Sequence, residues 1–401
     1  MSIASEISRI NQNIAAAYTA CSEKGSTMPA AQNSDHLPDT ISSIHQGDNT
    51  DIISKYVNFI DVDGTILYSY TEAEVQQLTE LPSLPIRDGY IYQEWNWTLA
   101  EIQSYGFPLT VGAVRVPSDG KTHLTLELIE GDDLTVSIPF YEGTGREVSI
   151  DWGDGTSVVC TSSPAVHTFA SYGRYVVRAD SNDYFMLNSS TSAYFKLKLK
   201  LSKAEFGLRS KIKSGVLSAG YALRLVSIPK EITYIEANAF QECRSLTAIV
   251  FPSNVTGIQN YAFAECSALR MISFPGRNLS EIGISAFADN DSVRCISLPE
   301  SITLIERQTF RACRALEHIA LPHTIAELNS GALQANVHLR KVDLSAFTSV
   351  PRALDSNTFY GAPQDCVLYV RNAAMLSAFQ SATNWSVDAD KMQIGGKYAE
   401  I

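Results

Sequence analysis

Leu223-Arg-Leu-Val-Ser-Ile-Pro229-Lys-Glu-Ile-Thr-Tyr-Ile-Glu-Ala-Asn-Ala-Phe240-Gln-Glu-Cys243 decides the fold, because the same phrase returns in four further copies. Proline recurs at 229, 252, 275, 299 and 322. Phe240, Phe263, Phe287 and Phe310 follow in turn, with Leu333 at that place in the fifth copy. The step is 23 residues everywhere except between Pro275 and Pro299, where it is 24. The extra residue falls between Pro275 and Phe287, where the phrase should have a loop. A fixed period of this size is the mark of a solenoid in which each copy adds one coil.

Working outward, Tyr194-Phe-Lys-Leu-Lys-Leu-Lys-Leu-Ser-Lys203 alternates apolar and basic residues. It predicts an edge strand with Phe195, Leu197, Leu199 and Leu201 facing in and Lys196, Lys198 and Lys200 facing water. Lysines on an open edge would blunt the first coil, so 191–222 is expected to be the solenoid's N-terminal cap. At the other end, 366–401 holds a strand, Cys366-Val-Leu-Tyr-Val370, and an Asn372-capped helix to Ala382. With Trp385 these should cover the apolar end of the last coil.

The repeat reads Leu-x-x-Ile-x-Leu/Phe-Pro-x-x-Ile/Val-x-x-Ile-x-x-x-Ala-Phe-x-x-Cys/Asn-x-x-Leu over 223–344, with an irregular sixth unit to 365. This pattern resembles the BspA-type leucine-rich repeat of bacterial surface adhesins and of some phage and protist proteins. The resemblance implies a buried Cys/Asn position that satisfies backbone groups at a bend. Cys243, Cys266 and Cys313 occupy it, with Asn290 and Asn336 in the other copies. That interchange reads as structural thiols. Cys21, Cys160, Cys295 and Cys366 show no C-x-x-C pairing and predict no zinc site.

Residues 120–190 read as all-β. His123-Leu-Thr-Leu-Glu-Leu-Ile129 and Leu134-Thr-Val-Ser-Ile138 alternate about the turn Glu130-Gly-Asp-Asp133. Asp151-Trp-Gly-Asp-Gly155, His167-Thr-Phe169 and Tyr172-Gly-Arg-Tyr175 resemble a PKD domain, which implies an immunoglobulin-like β-sandwich. Asp151 and Asp154 are expected to hold their own turn rather than to serve as a catalytic or calcium pair.

Residues 51–119 predict a small α/β module. Tyr56-Val-Asn-Phe-Ile60 and Thr65-Ile-Leu-Tyr-Ser-Tyr70 flank an Asp61-Val-Asp-Gly64 turn. Thr71 with Glu74 is a capping box, and Thr98 caps a second short helix. The order resembles a β-grasp repeat of the internalin type. Trp95 and Trp97 are expected to divide between a small core and its rim, with sugar stacking as the sharper reading.

Residues 1–50 predict a helical attachment segment. Ile3, Ile7, Ile10 and Ile14 fall at heptad a/d spacing, and Ile at both positions leans toward a homotrimer. Ser2-Ile-Ala-Ser-Glu-Ile7, Ala15-Ala-Ala-Tyr-Thr-Ala20, Lys24-Gly25 and Met28-Pro29 resemble the start of tail proteins of phages that infect Gram-positive gut bacteria. The resemblance implies attachment to a particle through this end. The opening residues lack a basic stretch and a long apolar core, and are expected not to be a secretion signal.

Charge narrows the partners. Residues 1–120 carry 15 acids and 5 bases, 121–222 carry 11 of each, and 223–401 carry 17 and 15. The nets of −10, 0 and −2 sum to −12, with no basic domain for nucleic acid. No run of 18 apolar residues predicts membrane insertion. The seven His residues hold no metal spacing, and no nucleophile elbow, phosphate loop or dinucleotide fingerprint is present, so no enzyme activity and no cofactor are expected.

What remains for recognition is the outer side of the stacked strands. One column is Arg224, Thr247, Arg270, Arg294, Glu317 and Arg340; beside it run Ser227, Val250, Ser273, Ser297, Ala320 and Asp343. An Arg column along small residues makes a groove for an anionic or hydroxyl-rich ligand, with Arg224, Arg270, Arg294, Arg340, Ser273 and Ser297 as its candidates. A solvated face is the plainer reading. The fold class is therefore multidomain α+β: N-terminal helix, β-grasp-like module, PKD-like sandwich and C-terminal solenoid. The expected role is a non-enzymatic phage tail fibre or tail-tip component. It would dock on other tail proteins through its N-terminus and meet a host surface glycan or protein. A bacterial cell-surface adhesin is the alternative, and a glycan-depolymerising tailspike, lacking a carboxylate pair, the least favoured.

Overall fold

The computed structural model describes residues 56–105, 108–141, 146–182, 185–187, 197–208 and 210–397. The heptad of Ile3, Ile7, Ile10 and Ile14, and the rest of the 1–50 segment, lie outside them. Val57–Ile401 forms one compact unit.

The first part is a four-stranded sheet. Strands β1 (Val57–Ile60) and β2 (Ile66–Tyr70) form a hairpin closed at Gly64, whose φ of +85° suits glycine. Strand β4 (Leu109–Pro117) lies parallel to β1, and β3 (Tyr90–Trp95) antiparallel to β4, giving the order β2-β1-β4-β3. Helices α1 (Glu72–Gln77) and α2 (Leu99–Ser104) each begin in a complete capping box, Thr71 with Glu74 and Thr98 with Glu101. Val75 and Ile102 turn inward from them. Trp95 and Trp97 are both buried, so neither is a surface platform for sugar.

The next part is built on a six-stranded sheet. Its strands β5 (Thr122–Leu128), β7 (Val148–Asp151), β8 (Ser157–Cys160) and β10 (Gly173–Ser181) are antiparallel neighbours. An antiparallel pair of β6 (Thr135–Ile138) and β9 (Ala165–Thr168) packs over the same core. Trp152 stacks on His167 at 4.9 Å between centroids, and Phe169 stacks on Tyr175 at 4.0 Å. Asp151 accepts from the Gly153 N–H and pairs with Arg178. Asp154 accepts from Thr156 and from His167 at 2.7 Å. The Thr156 hydroxyl, followed by His167, pulls the Asp154 carboxyl down to about 2. Both carboxylates thus hold their turn, which is the role the sequence predicts for them.

That sheet does not end where the repeats begin. β11 (Leu201–Glu205) pairs with β5 on one side and, in parallel, with β12 (Leu225–Ser227), the strand of the first repeat, on the other. One apolar core then runs from Leu124 to Met392. The expected string of separate parts is corrected here: the described chain is mostly β, with few helices, and the middle sheet is the solenoid's cap.

The cap strand also differs from expectation. Leu197 to Lys200 make a turn, with Lys200 N–H donating to the Leu197 carbonyl; the strand starts only at Leu201. Leu199 is half exposed, while Lys198 is buried and its Nζ donates to the Ser218 carbonyl. A register shift between Leu201 and Lys203 against β5 breaks the simple alternation. Residues 194–196 lie outside the described residues. Gly215, Leu217 and Ala219 already donate to the next coil at Ala237, Ala239 and Gln241, so 210–222 belongs to the coil stack rather than to a separate cap.

In the solenoid each coil contributes a three-residue strand, a two-residue strand and a tight return. The three-residue strands are Leu225–Ser227, Ala248–Val250, Met271–Ser273, Cys295–Ser297, His318–Ala320 and Lys341–Asp343. Strand neighbours are parallel and in register. Inside, Phe240, Phe263, Phe287 and Phe310 stack in a file with centroids 5.0, 5.5 and 5.8 Å apart. In the return, residues on either side of the Phe adopt positive φ, as at Asn238, Glu242, Tyr261 and Glu265. That twist aims their N–H groups at carbonyls of the next coil, such as Asn238 to Asn260 and Glu242 to Ala264. The Cys/Asn position works as the resemblance implies. Cys243, Cys266 and Cys313 give Sγ–H to the carbonyls of Leu217, Phe240 and Phe287 at 3.2–3.3 Å. Asn290 and Asn336 give Nδ2–H to Phe263 and Phe310.

The last coil is closed by the strand Val367–Val370, helix α3 (Ala373–Ser381), a 3-10 turn at Ser386–Lys391 and the strand Met392–Ile394. Trp385, buried between Phe359 and Phe379, donates to the Pro351 carbonyl at 2.8 Å.

Candidate recognition surface

The groove read from the small-residue column exists, and β4 of the same chain fills it. Ser227 Oγ donates to the Arg115 carbonyl, Ser273 Oγ to Thr110 at 2.8 Å, and Ser297 Oγ to Pro108. Between the first two, Gly112 lies on Val250. A Cβ there would stand 2.4 Å from Val250 Cγ1, so glycine is what lets the strand settle. Ile60, Val114, Val250 and Met271 make the apolar contact. Ser273 is fully buried. Ser273 and Ser297 are therefore corrected from ligand candidates to contacts of β4. Their hydroxyls found carbonyls within the chain.

The repeat's proline explains why this face takes a partner so specifically. In a parallel ladder the carbonyl of residue 251 should receive the N–H of residue 275, since Phe251 N–H already donates to the Ser273 carbonyl. Residue 275 is proline and has no N–H. The same holds for Phe274 with Pro299 and Leu298 with Pro322. Each of these three coils so leaves one buried acceptor, and leaving one unmet costs ~1–3 kcal/mol. The module supplies the donors. Asn96 Nδ2 reaches the Phe251 carbonyl at 2.9 Å and Phe274 at 3.1 Å. Trp97 Nε1 reaches Phe274 at 2.8 Å, and the Tyr105 hydroxyl reaches Leu298 at 2.7 Å. The N–H that follows each of the first three prolines is met as well. Lys230 donates to Gln93, Ser253 to Glu94, and Gly276 to the Asn96 carbonyl. Sequence reasoning placed proline after the strand but missed Asn96, Trp97 and Tyr105. Their partners lie 155 to 193 residues away, and no local pattern marks them.

The Arg column lies on the bend before the strands, outside the covered slot. Arg224 is engaged by Glu127 at 2.5 Å, and Arg294 faces Glu317 at 3.8 Å. Arg270 and Arg340 are exposed. Farther along the strand row His318 is half-buried between Cys295 and Lys341 in the ladder. Burial first, then the Lys341 charge, pushes its pKa down to about 4, and burial lifts the Cys295 thiol to about 12. No cluster of three or more His, Cys, Asp or Glu able to hold a metal occurs among the described residues. No described helix is long and apolar enough to cross a membrane.

Comparison with known proteins bears on the coils. Residues 210–340 match the family model of the BspA type leucine rich repeat region, in six copies. No curated protein is a significant match to the chain. Among solved structures, a leucine-rich repeat protein of T. pallidum is 22% identical, covers 45% of this chain and is 78% covered itself, with a TM-score of 0.35. The pneumococcal vaccine antigen PcpA is 18% identical over 42% of this chain and 40% of its own, with a TM-score of 0.35. A leucine rich cell surface protein of Faecalibacterium prausnitzii A2-165 is 18% identical over 46% of this chain and 61% of its own, with a TM-score of 0.31. The chain thus spans less than two thirds of the latter two. The repeat assignment rests on the family model and on the coil geometry above.

Proposed function

We propose that the chain is a non-enzymatic, adhesin-like binding protein that presents its leucine-rich-repeat solenoid to a cell surface. The observation that carries this reading is the BspA-type array at 210–340, folded as a stack of parallel coils. β4 and the residue before it fill the strand face of the first coils, so recognition there belongs to the bends and flanks. Arg270 and Arg340 stay in the proposal as exposed cations for an anionic or hydroxyl-rich ligand, a host glycan or protein. Full-length protein should bind whole cells that carry such a ligand, and Arg270→Ala with Arg340→Ala should weaken that binding. Retained binding by the double variant removes the Arg column from the account.

A second reading places the protein in a virion, as a tail fibre or tail-tip component docked on other tail proteins. It is favoured by the heptad spacing of Ile3, Ile7, Ile10 and Ile14 and by the resemblance of the 1–50 segment to phage tail proteins. On that reading the chain is a homotrimer. Light scattering of the full chain against one starting near Ser54 decides it: a trimer that becomes a monomer supports the attachment role, and two monomers exclude it. The PKD-like and β-grasp-like identities of the two middle parts belong to the same proposal, as spacer and brace.

A further inference from the structure

We infer that the groove beside Tyr234, on the flank of the first coils, is a binding site for a neutral saccharide. The groove encloses about 450 Å³ and is lined by Leu208, Lys211, Lys213, Glu231, Tyr234 and Glu236 among others. Sugars offer a patch of C–H groups and a rim of hydroxyls that both give and accept. A site for them needs an apolar or aromatic wall beside charged hydrogen-bonding groups held in place. Each part is present. Leu208 is 40% exposed, an open aliphatic surface at one end. Tyr234 is fixed at both ends of its side chain. Its ring rests where a Cβ of residue 257 would be, 2.1 Å from that position, so Gly257 is the residue that admits it. Its hydroxyl donates to Glu281 two coils on, at 2.7 Å.

The polar groups are ordered before any ligand arrives. Lys213 Nζ meets Glu236 at 2.5 Å, and Glu236 also accepts from the Ser214 N–H. Glu231 is positioned by Gln93 of the module, at 3.1 and 3.3 Å to its two oxygens. Two lysines against two glutamates leave no net charge, which favours an uncharged ligand over an acidic or basic one. Side chains held this way lose little freedom on binding. The same Gln93 links the groove to the covered strand face through the Lys230 N–H, so the module that closes one surface shapes the next.

The assignment rests on the adhesin-like reading for its biological sense and is tested apart from it. Saturation-transfer NMR on the full chain would use methyl glycosides of glucose, galactose and N-acetylglucosamine as probes. At least one should receive saturation. Tyr234→Ala should weaken that probe about tenfold or more, as loss of an aromatic wall does. Gly257→Ala should weaken it too, by displacing the ring, while Arg270→Ala should leave it unchanged. Tyr234→Phe keeps the ring and should bind better than Tyr234→Ala, which separates loss of the wall from loss of the fold. No saturation of any probe, or equal saturation with Tyr234→Ala, overturns the site. Sugar binding without cell binding would sink the adhesin-like role and leave the site standing.

Discussion

Asn96 stands 177 residues before Ser273, and its side-chain amide meets the carbonyls of Phe251 and Phe274 and the Ser273 hydroxyl. Its Oδ1 accepts the Gly112 N–H at 2.7 Å. Asn96→Ala would orphan the Phe251 carbonyl and the Gly112 N–H at once, while Trp97 still meets Phe274, and should cost about 2–4 kcal/mol in urea unfolding. His318 gives a pH signature. Its pKa is about 4 in the fold against an ordinary 6.5. Between those values the unfolded chain binds a proton that the folded chain does not. Stability should therefore fall as pH drops from 6.5 toward 4, by roughly 2–3 kcal/mol, with no contribution above 6.5. His318→Gln should flatten that slope in thermal melts taken across the window. The positive-φ positions give a third test. Ala335 has φ +63° in the return of its coil. Ala335→Gly should be neutral or stabilising, while Ala335→Val should cost more than about 1 kcal/mol by thermal unfolding. The Cys/Asn position was legible in the sequence because it recurs with the period. The reach of Asn96 was not, because it occurs once.

Among the elements, β4 shows how a correct pattern acquired the wrong partner. Stacking the copies revealed a file of small residues, Ser227, Ser273 and Ser297, and hence a slot. A slot in sequence says nothing of what lies in it, and the strand that fills it sits on the far side of the β-sheet cap. Gly112 is the point of closest approach. Gly112→Val should lift β4 from Val250 and open the module. In limited trypsin digestion, cleavage after Arg115, now buried and paired with Asp61 at 2.8 Å, should speed up about tenfold or more. The strand β11 teaches the converse. Perfect alternation over 194–203 suggested a strand facing one core. A turn at 197–200 and a register shift place Lys198 inward and Leu199 outward instead, because Lys198 has a carbonyl to meet at Ser218. Alternation reports a period, and a turn resets it.

At the scale of the whole molecule, sequence reading separated parts that the structure joins. The repeats, their period and their interior were all visible beforehand. The continuity of one sheet from β8 to β12, and of one core from Leu124 to Met392, was not, since it depends on pairings between distant strands. The consequence is a solenoid whose strand face over the first coils is closed by its own chain. Maleimide labelling of full-length Ser273→Cys, beside Arg270→Cys in the same coil, tests that claim most directly. The fully buried position 273 should stay unlabelled in the native protein and react only on unfolding, while the exposed position 270 should react at once. Equal, rapid labelling at both positions would show an open strand face and contradict the account.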